Sequence, residues 1–162
     1  MRVNKFNSRL WIRLMSLGLI VMVALTACAP AATPTPAPTS ASSSTITDIV
    51  WQWISVKNKT TNTTTTVPNP ESYTIIFKTD GTLTGKADCN SFSGTYSQDG
   101  GFTIKLGPST MAYCGETSLD QQYLQLLGSV AAGGPDGAGG LALETAGGEQ
   151  RMEFKNGGAA PK

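Results

Sequence analysis

Histidine is absent from the 162-residue sequence. That removes the side chain that most often serves as general base near neutral pH and the commonest metal ligand. Cysteine is scarce: there are three, Cys28, Cys89 and Cys114, and no two lie close enough to form the paired-thiolate half of a zinc site. Neither a metal nor another cofactor is expected. Charged residues make up only 14% of the chain. No basic cluster follows Arg13, so the phosphate neutralisation on which nucleic-acid affinity rests has no source. Long apolar runs are missing as well. The longest, Leu14 to Leu25 (LMSLGLIVMVAL), falls short of the ~20 residues that cross the hydrocarbon core of a bilayer.

The setting of that short run gives it meaning. Arg2, Lys5, Arg9 and Arg13 form a basic stretch around its start, and Leu25-Thr26-Ala27-Cys28 closes it. This order marks residues 1–27 as a secretion signal and not a membrane helix. The four residues LTAC resemble the lipobox of bacterial lipoproteins. The resemblance implies transfer of diacylglycerol to the Cys28 thiol and cleavage between Ala27 and Cys28. Small side chains at Thr26 and Ala27 let a peptidase reach the backbone, and a thiol is the soft nucleophile that a thioether needs. An ordinary signal peptide with an incidental cysteine is the alternative. Ala29 to Ser44 contains only Ala, Pro, Ser and Thr, too little apolar surface to offset its ordering entropy. Extended at ~3.1 Å per residue, residues 28–45 form a tether able to hold a domain roughly 50 Å from a bilayer. The first 27 residues carry four of the 12 basic residues and none of the 11 acidic ones, which leaves 8 against 11 and a net charge of −3. Anionic lipid would not hold such a domain. Stable anchoring needs more than one acyl chain or signal, and a diacylglyceryl group supplies it. The expectation is a monomer at the extracytoplasmic face, contacting the membrane through Cys28.

Residues 46–156 make one domain of ordinary size with one core. Its pattern is mainly β. Asp48 to Lys57 alternates Ile49, Trp51 and Trp53 with Val50, Gln52 and Ile54, as a strand does. Asn58 to Pro70 is a polar loop by composition. Strands are expected at Ser72 to Lys78, Thr82 to Ala87, Phe92 to Ser97, Phe102 to Leu106, Leu141 to Thr145 and Gln150 to Phe154, with Asp80-Gly81 turning one hairpin. Leu119, Tyr123, Leu126, Leu127 and Val130 recur at helical spacing, and Ser118 with Gln121 has the form of a capping box. Ala131 to Gly140 is expected to be a loose loop, and Gly157 to Lys162 a disordered tail. Many short strands with one amphipathic helix predict a small antiparallel β-barrel-like sheet of the α+β kind. Cys89 and Cys114, an even pair in an exported domain, favour a disulfide; two buried free thiols are the alternative.

Several stretches resemble the META domain of secreted and envelope proteins, typified by the heat-shock protein HslJ. They are Trp51-Gln-Trp53, Tyr73-Thr-Ile-Ile-Phe77, Ala87-Asp-Cys-Asn-Ser-Phe-Ser-Gly-Thr-Tyr96, Thr110-Met-Ala-Tyr-Cys114, Gln122-Tyr-Leu124, Leu141-Ala-Leu143 and Met152-Glu-Phe154. The resemblance implies a small barrel-like sheet with one helix and an envelope or secreted location, with associations to heat induction and antibiotic tolerance. It implies no catalytic residues. The family places cysteine directly after Met-Ala, whereas Tyr113 intervenes here, which leaves open whether Cys89 and Cys114 are bridged.

Candidate chemistry is thin. Asp80, Asp88, Asp99 and Asp136 sit at or near turns, where an aspartate usually serves its own backbone. Asp88 and Asn90 flank Cys89 and form the one polar cluster of interest, as a ligand contact or as a stitch between loops. Ser91 and Ser93 have no base partner, and Glu116 precedes the helix. The expectation is a non-enzymatic envelope module that binds another protein, its partner unspecified. The alternative is a carrier or pilotin-like binder of an acyl chain or other apolar ligand, lined by Trp51, Trp53, Phe77, Phe92, Tyr96 and Tyr123, a set that otherwise reads as core packing.

Overall fold

A computed structural model describes residues 45–162. The signal, Cys28 and residues 29–44 lie outside them. Nine strands occur among the described residues: β1 (Ile49–Asn58), β2 (Thr63–Thr66), β3 (Tyr73–Phe77), β4 (Thr82–Ala87), β5 (Asn90–Ser97), β6 (Thr103–Ser109), β7 (Val130–Pro135), β8 (Leu141–Thr145) and β9 (Gln150–Ala159), with helix α1 (Asp120–Gly128) between β6 and β7. The strands form one antiparallel sheet in the order β6-β5-β4-β3-β1-β9-β8-β7, and β2 adds to β1. The sheet curls into a half-barrel. Its two terminal strands, β6 and β7, approach each other, and α1 packs on β6 and β4.

The core fills the concave face. Trp53, Ile75, Phe77, Leu83, Tyr123, Leu127, Leu141, Leu143 and Met152 are fully buried. Trp53 and Tyr123 stack at 5.1 Å, and Tyr73 meets both rings edge-on at 5.8 and 5.7 Å, geometries that aromatic quadrupoles favour. A register shift interrupts the β1–β9 ladder between Trp53 and Ser55; beyond it Val56 lies in the core opposite Met152, while Ser55 Oγ donates to Glu153 Oε2 at 3.2 Å on the other face. The Trp53 indole uses the bend, donating to the Ser55 carbonyl at 2.8 Å. Opposite Phe92, β4 carries Gly85; a Cβ there would meet the Phe92 ring and the Thr74 carbonyl. The aromatic lies over the backbone that glycine leaves bare.

Four local expectations are corrected. The Thr-rich segment 58–70 contains β2, whose register runs from Ser55↔Thr66 to Asn58↔Thr63. Asn58 Oδ1 accepts the Thr60 and Thr61 amides, each at 3.0 Å, and turns the hairpin. All four β2 threonines are exposed, so no apolar alternation marks the strand. Ala131 to Gly140 is not a loose loop: β7 pairs with β8 from Val130↔Thr145 to Pro135↔Leu141. Its glycine at 133 sits where the Leu143 side chain crosses the strand. The tail is ordered further than predicted, since β9 runs to Ala159, which pairs with Ile49. The capping box does not form. Ser118 Oγ accepts from the Asp120 amide at 3.2 Å, and the Leu119 amide is satisfied instead by Tyr73 Oη at 2.8 Å. A tertiary contact replaces the local cap, and Val130 opens β7 instead of ending the helix.

Candidate functional site

The turn from β4 to β5 and the segment from β6 to α1 meet at one end of the half-barrel. Asp88 holds a left-handed backbone (φ 59°), and its amide donates to the Ser72 carbonyl at 2.8 Å. Asn90, the first residue of β5, is 2% exposed and every polar atom of its side chain is used. Oδ1 accepts the Ala112 amide at 2.8 Å and Thr110 Oγ1 at 3.0 Å. Nδ2 donates to the Ala112 carbonyl at 3.0 Å and to Asp120 Oδ2 at 3.1 Å, with Cys114 Sγ at 3.3 Å. A backbone amide can only donate, so the Ala112 contact fixes which end of the carboxamide faces it. Thr110 Oγ1 also accepts the Ser91 amide at 2.9 Å. Asn90 therefore stitches β5, the 110–114 segment and the start of α1 together.

A disulfide joins Cys89 and Cys114 across the same segment, their Cα atoms 5.6 Å apart. The inserted Tyr113 does not prevent the bridge; it is displaced outward. Met111 is 94% and Tyr113 is 81% exposed, and they are the exposed large hydrophobic residues among the described ones. Backbone held by the Asn90 hydrogen bonds and by the disulfide thus carries two large apolar side chains into solvent. A cleft of about 470 Å³ opens between Met111, Tyr113, Asp120 and Leu124. A second, about 410 Å³, lies on the other side of Ala112 and Tyr113 toward Glu116.

Three carboxylates outside this cluster, Asp80, Asp136 and Glu144, are engaged in local structure. Asp80 Oδ1 accepts the Thr82 amide and hydroxyl, which pulls its pKa below the ordinary carboxylate value. Asp136 Oδ1 accepts the Ala138 and Gly140 amides, with the same effect. Both are backbone-serving turn residues, as expected. Asp99 makes no such contact through its carboxylate; its amide donates to Ser97 Oγ. Asp88 Oδ2 accepts from Tyr73 Oη at 3.4 Å, a long contact that adds Tyr73 to the cluster. On the outer face, Glu144 accepts from Lys59 at 2.8 Å and Arg151 at 3.0 Å, and these contacts lower its pKa. Among the described residues, no group of three His, Cys, Asp or Glu side chains is placed to hold a metal, and no helix is long and apolar enough to cross a membrane.

A model of the META domain matches residues 44–157. The chain belongs to the META domain family. The half-barrel is shared with solved structures at low identity. A DUF4847 family protein from Bacteroides vulgatus superposes with a TM-score of 0.53 at 16% identity, covering 68% of this chain and 93% of that one. A protein from Burkholderia xenovorans superposes with a TM-score of 0.55 at 22% identity, covering 68% and 83%. These likenesses speak for the fold alone. No curated protein matches the chain.

Within this META domain, sequence reasoning located Asp88, Cys89, Asn90 and Cys114 but missed Thr110, Asp120 and Tyr73 as their partners. Those three are ordinary in type, and only the fold brings them together. Met111 and Tyr113 carried no distinguishing sign: their i, i+2 spacing is that of one face of a strand, and the sequence alone does not show that this face is exposed.

Proposed function

We propose that this META domain is a lipid-anchored, non-enzymatic binding module on the extracytoplasmic face of a bacterial membrane. Its anchor is an acylated Cys28, and its docking element is the 110–116 segment. One observation carries the reading: Met111 and Tyr113 stand exposed on backbone fixed by the Asn90 hydrogen bonds and the Cys89–Cys114 bridge. Exposed apolar side chains on pre-ordered backbone suit recognition, because little conformational entropy is lost on binding. The position of the segment agrees. Residue 47 bridges to Phe77 at one end of β3, whereas Tyr73, at the other end, joins the Asp88 and Leu119 side of the domain. At ~3.3 Å per residue, β3 sets these ends roughly 13 Å apart, so the docking element lies away from where the tether enters.

The carrier reading gains less support. Of the aromatics offered as a ligand lining, Trp53 and Phe92 pack on Tyr123 and Phe77 packs on Tyr96, and in five surface clefts among the described residues Phe92 alone of the six takes part in the lining. Mass spectrometry of the protein from its native membrane tests the anchor. A diacylglyceryl group on an N-terminal Cys28 is expected, and an unprocessed, unacylated N-terminus refutes it. Site-specific photo-cross-linking from position 113 tests the module, with one recurrent envelope protein as the expected product.

A further inference from the structure

The chemistry of the two clefts narrows what the docking element takes. Both share Ala112, Tyr113, Asp120 and Gln121, so they form one surface divided by a Tyr113 ridge. On one side the wall is apolar, with Met111 and Leu124. On the other it reaches the exposed Glu116. The lining carries two carboxylates, Asp120 and Glu116, and no lysine or arginine. Asp120 already accepts from Asn90 and, through Oδ1, from the Gln121 amide, but neither partner is a cation. The ridge itself is a phenol ring 81% exposed, whose face attracts cations.

Resting on the binding-module reading above, we infer that this surface takes an extended segment of a partner protein in which a lysine or arginine adjoins an apolar side chain. The apolar side chain lies against Met111 and Leu124. The cation lies beyond the ridge, between the Tyr113 ring and the carboxylates of Asp120 and Glu116. Charge complementarity favours a basic over an acidic segment: Asp120 and Glu116 bring two negative charges, which outweigh the roughly half positive charge at the N-terminus of α1. Because Glu116 and Tyr113 are exposed, the attraction is screened by salt within a Debye length of about 10 Å at 0.1 M.

The test titrates the isotope-labelled full chain, held in detergent micelles, with two short blocked peptides: one alternating leucine and arginine, the other alternating leucine and glutamate. The leucine–arginine peptide is expected to shift the amide resonances of residues 110–116 and 121, and binding is expected to weaken about threefold for Glu116→Gln and for Tyr113→Ala. Raising salt from 0.05 to 0.5 M is expected to weaken the wild-type complex and to affect Glu116→Gln less. Equal response to the glutamate peptide, shifts that map elsewhere such as the β2 threonines, or no shift at millimolar peptide each overturns the inference. A native partner that cross-links to position 113 through an acidic face leaves the binding-module reading intact and removes this one.

Discussion

The Tyr123 hydroxyl is buried with no hydrogen-bond partner among the described residues, while its ring is held by Trp53, Tyr73, Phe92 and Phe154. Tyr123→Phe removes the hydroxyl and keeps the ring. An unsatisfied buried hydroxyl costs about 1–3 kcal/mol in the folded state. The void left by one oxygen, on the order of 10–15 Å³, returns about 0.3 kcal/mol at the cavity coefficient of ~24 cal/mol per Å³. The net expectation is stabilisation by about 1 kcal/mol, or roughly 4 °C in Tm for a domain of this size. Urea and thermal unfolding of the full chain, disulfide intact, measure it. The pH dependence offers an independent check. Burial pushes the Tyr123 hydroxyl well above its ordinary value of 10.0. The neutral form is favoured by folding, so stability is complete below pH 10 and falls as pH rises beyond it. Tyr123→Phe lacks this loss and unfolds less readily in alkali. A variant destabilised by 1 kcal/mol or more would refute the reasoning, because the hydroxyl must then be making a hydrogen bond.

Asn90→Ala strands the Ala112 amide and carbonyl and the Thr110 hydroxyl; a loss of about 2–3 kcal/mol is expected, with faster hydrogen exchange at Ala112 as its local mark. Reduction of Cys89–Cys114 frees a loop with a separation of 25 residues, worth about 3.5 kcal/mol by the chain-entropy relation, and dithiothreitol should lower the urea midpoint accordingly. Gly85→Ala drives a methyl into the Phe92 ring and the Thr74 carbonyl and is expected to destabilise by about 1–3 kcal/mol, measured by the same unfolding curves. The Glu144 pKa lies below its ordinary 4.5, chiefly through Lys59 and then Arg151. Its contribution is present above pH 4.5 and lost as pH falls through the depressed value, so Glu144→Gln should show a shallower acid limb than wild type.

Strands with apolar alternation were legible in place, and β1, β3, β4, β5 and β8 to within two residues, whereas β6 and β9 run on past their patterns to Ser109 and Ala159. β4 and β8 begin and end where their patterns do, because burial on one face leaves a period-two record in the side chains. β2 and β7 left no such record. One is four exposed threonines, the other alanine and glycine around a buried Val130, and both are strands because a neighbouring edge offers backbone hydrogen bonds. The helix start was misplaced for a related reason: its cap is a tyrosine 46 residues away. At the docking element, the cysteines and Asn90 stood out by type. Their partners did not, since threonine and aspartate acquire a role there only once β5 and α1 are brought side by side.

The place where the chain enters the domain has a mechanical consequence. Ile46 is seated in the core, its carbonyl accepts the Trp51 indole at 2.8 Å, and β1 follows at once. β1 is an interior strand, laddered to β9 along one flank and to β3 and β2 along the other. A pull transmitted through the residues before Thr45 therefore loads the middle of the sheet, where two ladders must rupture together, and not an edge that peels one bond at a time.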